Sequence, residues 1–336
     1  MARYDHGFLV PTLLYSSRRA RRAHESEERL MHRTSIVTRV GMVVALTIGA
    51  AVPALAAHPG ANGRLAFASY RAGNRLQVFS MAADGSDPQQ LTLSKGAANW
   101  SPSWSPDGMK IAYQVGTGNK AEIYVMNANG SGAVRLTKNR YEDLYPVWSP
   151  LGDRIAVTRY YRESAEIVTF SAVDGLGDVR LTNNTSIDIY PTWSPDGSKI
   201  AFGSDRDGDH DLYVMASDGT GPVTQVTTNG YYYDYAPDFS PDGSKLVYIR
   251  QGHEDYDIYT IGLDGSGITN LTNSPDSDEG QPDWSPDGTK IAYVWYPLPT
   301  SVTTAEVFVM NAHDGSGKTR LTTDGTGDVQ PDWQTI

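Results

Sequence analysis

One pattern of apolar and polar residues repeats along most of the chain. Its clearest copy starts at Pro191 and reads "PTWSPDGSKIAFGSDRDGDHDLYVMASDG". Short apolar runs that are rich in β-branched and aromatic side chains and bounded by Gly, Pro and Asp indicate β-strands rather than helices. The copy therefore predicts a first strand ending at Trp193, strands over "KIAF" and "DLYVM", and a fourth strand around Val226, joined by tight turns.

The pattern recurs with a nearly constant period. Copies of the Trp-Ser-Pro-Asp-Gly motif begin 44 to 46 residues apart, at Trp104, Trp148, Trp193, Phe239 and Trp284. A shorter form, "GRLAF", starts at Gly63, and the closing "QPDWQTI" supplies a further first strand that reaches Trp333. Four antiparallel strands in a repeat of ~45 residues are typical of a β-propeller blade.

The strand count predicts how the ring closes. Sets of second, third and fourth strands start near residues 64, 110, 154, 199, 245 and 290, and their fourth strands lie around Leu91, Leu136, Leu181, Val226, Leu271 and Leu321. The first set lacks a first strand, whereas one is left over near Asp328 to Trp333. We therefore predict an all-β, six-bladed propeller of four-stranded antiparallel blades over residues 58–336. Three strands plus one close the ring and leave no free sheet edge.

Residues 1–56 do not follow the repeat and form an N-terminal extension. The apolar run "VGMVVALTIGAAVPALAA" follows the basic segment "MHRTSIVTR" and ends in Ala-Leu-Ala at 54–56, the arrangement of a secretory signal peptide. Its apolar part before Pro53 is shorter than the ~20 residues of a membrane-spanning helix. We predict translation from Met31, cleavage before Ala57, and export to a periplasm or the medium without stable membrane insertion.

The charge balance narrows the classes of partner. The chain has 39 acidic and 28 basic residues and no Cys, so disulfides and Cys-ligated metal sites are excluded. Without residues 1–56, which hold eight Arg and four acidic residues, the net charge becomes −15. Such a surface repels nucleic acid and anionic lipid and favours cationic partners or metal ions. We expect a soluble monomer that binds a protein or peptide, with a cationic partner favoured.

The strand order predicts which loops share a face. The Ser-Pro-Asp-Gly and Asp-Gly turns fall on one face, called the lower face. The loops between second and third strands and the blade-to-blade connections fall on the upper face. The upper loops differ between copies and are rich in Tyr, a composition typical of recognition surfaces on a rigid scaffold. The aromatic residues predicted for this surface are Tyr145, Tyr190, Tyr232, Tyr235, Trp295 and Tyr296.

A polar residue stands three positions before the Pro of each first strand. These residues are Asn99, Asp143, Asp188, Asp234, Glu279 and Asp328. Their repeat phase predicts a position at the top of the innermost strands, around the mouth of the central channel, where they would bind cationic groups. Oxygen ligands suit Ca²⁺, although no cofactor is required. The alternative is that each residue caps its own connecting loop by accepting backbone N–H groups, as Asp does in turns.

A loop in the fourth copy resembles the first half of a calcium-binding loop. Asp205, Asp207 and Asp209 have the required spacing, but His210 occupies the position of the obligatory Gly and Ala216 that of the bidentate Glu. A polar hairpin loop is therefore favoured over a metal site, and the three Asp remain weak candidates for metal ligands.

Catalytic chemistry has little support in the sequence. The His residues beyond the predicted signal peptide are His58, His210, His253 and His313. Only His210 and His253 fall on upper loops, too few to rebuild a multi-His metal site. The chain contains no G-x-S-x-G nucleophile motif. We therefore expect a non-enzymatic protein.

The repeat "P-x-W-S-P-D-G-x-K-I-A-F…D-L-Y-V-M-x-x-D-G" closely resembles the propeller repeat of the TolB family, and prolyl oligopeptidases carry related propellers. The resemblance covers residues 58–336 almost end to end, without the α/β domain that precedes the propeller in TolB. It implies a free-standing propeller that binds protein partners. Two alternatives stay open, since propellers host unrelated activities. They are a metal-dependent enzyme acting on a saccharide or lactone, and a carbohydrate-binding propeller.

Overall fold

The computed structural model describes residues 60–336 except residues 95, 253, 254, 299 and 300. Within this part of the chain, 24 strands form six antiparallel sheets of four strands each. The expectations for residues 1–56, for His58 and for His253 lie outside the described residues. None of the helices in the described part is long and apolar enough to cross a bilayer.

The first three blades contain strands β1 to β11 and the last strand of the chain, in an order that runs from the innermost strand outward. Blade 1 consists of β24 (Asp328–Thr335), β1 (Asn62–Ser69), β2 (Gln77–Met81) and β3 (Gln89–Gln90). Blade 2 consists of β4 (Asn99–Trp104), β5 (Lys110–Val115), β6 (Glu122–Asn127) and β7 (Val134–Arg135). Blade 3 consists of β8 (Glu142–Trp148), β9 (Arg154–Tyr160), β10 (Ala165–Ser171) and β11 (Val179–Arg180).

The remaining strands form three blades of the same order. Blade 4 consists of β12 (Asp188–Trp193), β13 (Lys199–Ser204), β14 (Asp211–Ala216) and β15 (Thr224–Gln225). Blade 5 consists of β16 (Tyr233–Phe239), β17 (Lys245–Gln251), β18 (Tyr256–Gly262) and β19 (Thr269–Asn270). Blade 6 consists of β20 (Ser277–Trp284), β21 (Lys290–Pro297), β22 (Glu306–Asn311) and β23 (Thr319–Arg320). Two 3₁₀ turns, Gly118–Lys120 and Val302–Thr304, lie in upper loops.

The blades form a closed ring. Innermost strands of neighbouring blades contact one another all the way round, from β24 through β4, β8, β12, β16 and β20 back to β24. The C-terminal strand β24 pairs with β1, with Leu65 opposite Trp333 and Ser69 opposite Asp328. The structure therefore confirms the all-β class, the six four-stranded blades and the closure by three strands plus one.

The apolar core lies between adjacent blades. In one such cluster, Val78 and Leu91 of blade 1 pack against Trp104, Ile111 and Tyr113 of blade 2, and all five are buried. Burying each large apolar side chain contributes about 1.5–3 kcal/mol. Similar clusters join the other neighbouring blades, so the stability of each blade depends on the next blade round the ring.

The fourth strands are shorter than the sequence pattern suggests. Val134–Arg135, for example, ends just before Leu136, around which the sequence predicts the strand. The backbone N–H of Leu136 still donates to the carbonyl of Ile123, but the hydroxyl of Thr137 then accepts the N–H of Ile123. A buried Thr accepts a third-strand N–H in the same way in every blade. The side chain thus replaces a backbone partner and ends the regular ladder.

Every innermost strand contains a bulge next to its Pro. The residue before the Pro has a left-handed conformation, with φ between 44° and 58°, at Ser101, Tyr145, Tyr190, Ala236, Gln281 and Gln330. This conformation is uncommon for residues other than Gly and disfavoured before Pro. The strand register shifts across the bulge in all six blades. The bulge changes which side chains face the ring axis below it.

Candidate functional site

The six polar residues that the repeat phase places at the channel mouth are buried in the structure. Asp143, Asp188, Asp234 and Asp328 have no exposed surface, and Asn99 and Glu279 have almost none. In blade 3, both oxygens of Asp143 accept hydrogen bonds from Arg159, at 2.6 and 3.1 Å. Arg250 makes the same paired contact with Asp234 in blade 5, at 2.7 and 2.8 Å. Blades 4 and 1 have the equivalent ion pairs Asp188–Arg206 and Asp328–Arg71.

These side chains point outward into the seams between blades. Asn99 of blade 2 donates to Gln77 at 3.0 Å, and Gln77 lies on β2, the third strand of blade 1. Glu306 on the third strand of blade 6 has a carboxylate oxygen within 4.8 Å of one from Asp328 of blade 1. A residue that reaches the third strand of its neighbour faces away from the axis. Their position therefore differs from the channel mouth that the sequence predicts.

In three blades, an Asn links one of these carboxylates, which we call the seam carboxylates, to the loop that connects the blade to the one before it. Asn139, Asn184 and Asn229 donate to Asp143, Asp188 and Asp234, at 2.7, 2.7 and 2.9 Å. The same Asn side chains accept backbone N–H groups two or three residues further on. The carboxylate thus holds the loop through an intervening amide rather than by capping the backbone itself.

Glu279 is the exception among the seam carboxylates. Trp295 stands opposite it on β21, where blades 3 and 5 have the paired Arg. Ser277 donates to one carboxylate oxygen at 2.6 Å, and the other has no hydrogen-bond partner. Burial raises the pKa of Glu279 to about 7. The pKa of Asp328 also rises, to about 6, chiefly through burial, although Arg71 lowers it.

Most of the predicted recognition aromatics form a cluster near the ring axis instead of an exposed surface. The rings of Tyr145 and Tyr190 lie 4.3 Å apart, with their hydroxyls 3.3 Å apart, and Tyr190 stacks on Tyr235 at 6.1 Å. Tyr296 of blade 6 interacts electrostatically with Tyr145 of blade 3 across the ring. Tyr235 and Tyr296 are buried, so they cannot contact a partner on the upper face. Trp295 packs against Phe308 at 5.7 Å.

The exposed aromatic surface lies on the connection into blade 5. Tyr231 is 85% exposed, and Tyr232 and Tyr233 are about 40% exposed. The ring of Tyr233 meets the imidazole of His210 edge-on at 6.0 Å, which places the three Tyr beside the 205–210 loop of blade 4. We call the surface formed by Asp207, Asp209 and Tyr231–Tyr233 the tyrosine–aspartate patch.

The acidic loop brings together a different set of carboxylates from the weak metal candidates. Oxygens of Asp207, Asp209 and Asp211 all lie within 4.8 Å of one another. Asp205 points elsewhere and accepts the backbone N–H of Ile187 at 2.6 Å. Burial raises the pKa of Asp211 to about 6, and burial followed by the charge of Asp207 raises that of Asp209. The three neighbouring carboxylates therefore make this loop acidic.

A cavity of about 340 Å³ opens at the lower end of the ring axis. It is lined by the residue before the aromatic residue in each innermost strand, at Ser103, Val147, Thr192, Asp238, Asp283 and Asp332. Since equivalent positions of all six blades line it, the cavity lies on the axis. Its wall consists of Trp104, Trp148, Trp193, Phe239, Trp284 and Trp333. We call this cavity the axial cup.

Three carboxylates from consecutive blades make the axial cup acidic on one side. Asp238, Asp283 and Asp332 each accept the backbone N–H of the aromatic residue in the next blade, at 2.9, 2.7 and 2.7 Å. Burial raises the pKa of Asp238 to about 6 and that of Asp332 to about 8. Burial and the charges of Asp332 and Asp238 raise the pKa of Asp283 well above its ordinary value.

These three Asp residues are not among the candidates that the sequence predicts. The signal for them is a difference between copies at one position. The residue between the Pro and the aromatic residue is Ser, Val or Thr in blades 2 to 4 and Asp in blades 5, 6 and 1. A position at which some copies of the repeat have Asp and the others do not therefore indicates this site better than a position that is the same in most copies.

The contribution of Asp332 in the axial cup to folding stability should fall as pH rises. Native Asp332 has a pKa of about 8, above the ~3.9 of an unfolded chain, so the native state binds more protons between these values. The contribution of Asp332 to stability is therefore greatest near pH 4 and declines towards pH 8. We expect Asp332→Asn, whose amide oxygen keeps the hydrogen bond to Trp104, to unfold at higher denaturant concentration than the parent at pH 8, with little difference at pH 4.

Asp196, in a lower turn, is the control for this prediction, because its pKa is shifted the other way. Hydrogen bonds from Ser194 and Ser198 lower the pKa of Asp196. Its contribution to stability is present above the unfolded-state pKa and is lost as pH falls. Asp196→Asn should therefore slightly lower stability at pH 8. Equal effects of the two substitutions on stability at pH 8 would contradict the raised pKa of Asp332.

The ring of four-stranded blades and the cavity on its axis define a β-propeller. The family model described as "TolB beta propeller domain" matches residues 31–177, 62–236 and 231–335. The chain belongs to this family. The matches to curated relatives are short. They include the Tol-Pal system protein TolB of Anaeromyxobacter dehalogenans, 47% identical over 45 residues, which are 13% of this chain and 10% of that protein.

Another relative, the TolB homolog of Chlorobaculum tepidum, is 33% identical over 109 residues, 32% of this chain and 24% of that protein. Solved structures match more of the chain at lower identity. TolB from Acinetobacter baumannii has a TM-score of 0.67 at 23% identity, covering 81% of this chain and 66% of that one. An oligogalacturonate lyase from Vibrio parahaemolyticus has a TM-score of 0.54 at 14% identity, covering 79% and 77%. These similarities concern the fold, which binding proteins and enzymes share.

Proposed function

We propose that this chain is an exported, non-enzymatic propeller that binds a protein or peptide partner through its upper face. The tyrosine–aspartate patch is the observation that carries the proposal. Three consecutive Tyr stand exposed on a rigid ring, and large aromatic side chains contribute much of the binding energy in protein interfaces. Membership of the TolB propeller family supports the proposal, since a curated relative is named as a component of the Tol-Pal system.

The charge around the three Tyr favours a basic partner. Asp207 is exposed and Asp209 is half-buried on one side of them, and Asp255 is exposed in the loop that follows the strand paired with Tyr233. The nearby Arg206 and Arg250 are bound to Asp188 and Asp234, so their charges are already compensated. A Lys- or Arg-containing segment would gain attraction from these carboxylates, which form no ion pair in the described part of the chain, and cation–π contact with exposed rings.

The non-enzymatic assignment rests on the side chains that the structure brings together. In the described part of the chain, the close groups of three acidic residues contain no His. His210 is buried, and its Nδ1 has no hydrogen-bond partner. Burial lowers the pKa of this imidazole, which keeps it neutral at physiological pH.

The test replaces the exposed rings and leaves the fold intact. We expect the triple variant Tyr231→Ser, Tyr232→Ser and Tyr233→Ser to bind short fluorescent Lys- and Arg-rich peptides about tenfold more weakly than the parent. Fluorescence anisotropy at low and high salt measures this. Binding to the parent should weaken as salt screens Asp207 and Asp209.

A lower-face variant is the matched control. Leu151 and Val173 are 70% and 85% exposed on lower turns, so Leu151→Ser with Val173→Ser removes apolar surface from the opposite face. This variant should bind the peptides like the parent. The proposal fails if the parent binds no basic peptide, or if the lower-face variant loses as much affinity as the triple Tyr variant.

A further inference from the structure

The seams between neighbouring blades bring acidic side chains together. In each seam, a residue on the third strand of one blade lies near a residue at the start of the innermost strand of the next blade. Of the six seams in the described part of the chain, five contain a carboxylate on both sides. The pairs are Glu122 with Asp143, Glu166 with Asp188, Asp211 with Asp234, Asp257 with Glu279, and Glu306 with Asp328. Two buried carboxylates that lie close together repel each other unless a cation compensates them.

Within the described residues, Arg supplies this cation in four of the five acidic seams. One position for the Arg lies on the second strand, where Arg159 contacts both oxygens of Asp143. The other position lies on the short outermost strand, where Arg320 binds the third-strand carboxylate of Glu306. The ion pairs of the four seams are Arg135–Glu122 with Arg159–Asp143, Arg180–Glu166 with Arg206–Asp188, Arg250–Asp234, and Arg320–Glu306 with Arg71–Asp328.

The seam between blades 5 and 6 has no Arg at either position. Trp295 stands opposite Glu279 on β21, the position that holds Arg250 in blade 5. Asn270 holds the position on the outermost strand and donates to Asp257 at 2.9 Å. The hydrogen bonds to these two carboxylates come from neutral amide and hydroxyl groups. In the described part of the chain, neither carboxylate forms an ion pair, so the acidic charge of this seam is uncompensated.

Glu279 is the residue of this seam whose charge changes near neutral pH. It is 2% exposed, and one of its carboxylate oxygens has no hydrogen-bond partner. The ionisable groups that face it are Asp257 of β18, Tyr293 of β21 and the exposed Lys318. Burial raises the pKa of Glu279 to about 7, and the charge of Asp257 adds to the rise, whereas the hydrogen bond from Ser277 and the charge of Lys318 lower it.

We propose that the seam between blades 5 and 6 is a pH-dependent opening point of the ring. The seam is closed while Glu279 carries a proton, and it loosens when Glu279 ionises beside Asp257. Strands β18 and β20 pack together across this seam, so loosening exposes their backbone amides to water. A seam with two Arg, such as that between blades 3 and 4, stays closed under the same conditions. This property belongs to the ring itself and does not depend on a partner at the tyrosine–aspartate patch.

The direction of the pH effect follows from the protons that each state binds. In the opened seam, water surrounds Glu279, and its pKa returns to ~4.3, the ordinary value for Glu. The open state therefore binds fewer protons than the closed state between about pH 4.3 and pH 7, and opening becomes easier as pH rises through this range. Since one proton is released, the equilibrium constant for opening rises about tenfold per pH unit and levels off above about pH 7.

Hydrogen–deuterium exchange of the full chain tests the proposal. The exchange rates of amides in β18 and β20 are divided by those of an unstructured peptide at the same pH, because the chemical rate of exchange itself rises with pH. Between pH 5 and pH 7, this normalised exchange should rise about 100-fold. At pH 7 it should be at least about tenfold faster than in β10 and β12, the strands of the seam between blades 3 and 4. A rise of less than about tenfold, or exchange no faster than in β10 and β12, would overturn the proposal.

The substitution Glu279→Gln removes the titrating group and keeps the size of the side chain. In this variant, the normalised exchange of β18 and β20 should change less than about threefold between pH 5 and pH 7. The matched control is Glu306→Gln, because Glu306 is also 2% exposed but is bound to Arg320. This control should keep the rise seen in the parent. The same pH dependence in the parent and in Glu279→Gln would assign the opening to another group and contradict the proposal.

The substitution Trp295→Arg tests the missing cation. It places in this seam the residue that blades 3 and 5 have at the same position. An Arg opposite Glu279 compensates the ionised carboxylate, so the rise between pH 5 and pH 7 should shrink to less than about threefold, with an unchanged circular dichroism spectrum. A folded Trp295→Arg variant that keeps the rise of the parent would overturn the proposal. If this variant does not fold, the comparison of Glu279→Gln with Glu306→Gln decides.

Discussion

A chain that ends at Gly325 is expected to lose cooperative unfolding altogether. The truncation removes β24, so β1 loses its inner partner and Trp333 leaves the cluster that it forms with Leu65 and Phe67. Arg71 also loses the buried carboxylate of Asp328. The loss of a whole strand exceeds the total stability of an ordinary domain, about 5–15 kcal/mol. Thermal denaturation followed by circular dichroism, with size-exclusion chromatography, should show a broad transition and aggregation through the free edge.

A circular permutant is the control for this truncation. Ile336 and Ala61 exchange two backbone hydrogen bonds, so the end of β24 lies beside the start of β1. Moving residues 326–336 in front of Gly60 through a short Gly linker keeps every strand and changes only the connection. We expect this permutant to unfold cooperatively. A truncated chain that melts like the parent would show that β24 does not close the ring.

Replacing Arg159 by Met is expected to cost about 3–5 kcal/mol at neutral pH. Arg159 is 4% exposed and is the cation that compensates Asp143, which has no exposed surface. Without it, Asp143 stays buried near the carboxylate of Glu122, whose pKa is raised by burial and, to a smaller extent, by the charge of Asp143. Urea denaturation at pH 7 measures the loss.

The matched control replaces an Arg in an exposed ion pair. Arg64 pairs with Asp87, whose side chain is 60% exposed. Solvent screens such pairs, so Arg64→Met should cost less than about 1 kcal/mol. In the double variant Arg159→Met with Asp143→Asn, most of the stability should return. Equal losses of stability from Arg159→Met and Arg64→Met would contradict this prediction, because the buried ion pair would then contribute no more to stability than the exposed one.

The fold can be predicted from the sequence because the residues of each repeat determine its strands and turns locally. A Ser-Pro-Asp-Gly turn or a close variant follows Trp193 and its equivalents in five copies, and the strand after it has too few residues for a helix. The unmatched first strand near Asp328 then leaves one way to close the ring. The length of the fourth strands cannot be read from the pattern, since the hydroxyl of Thr137 and its equivalents replaces a ladder hydrogen bond.

The direction of side chains on the innermost strands cannot be predicted in the same way. The repeat phase gives the height of Asp143 on the strand, but the bulge at Tyr145 changes which residues face the axis below it. The partner of Asp143 is Arg159, which lies on the next strand and 16 residues away. No sequence motif near Asp143 indicates this pairing. The sequence places Tyr235 and Tyr296 on the surface because they lie near loops. They are buried because rings from several blades meet across the ring.

The closure of the ring by its last strand also sets an order of events during synthesis. Blades 2 to 6 each consist of consecutive strands, so the strands of each can pair as soon as that part of the chain is available. Blade 1 must wait, because Leu65 pairs with Trp333. Until then β1 keeps an unpaired inner edge, and incomplete chains of this kind are prone to aggregate. The time needed to make the remaining blades is therefore the period in which the incomplete chain exposes this edge.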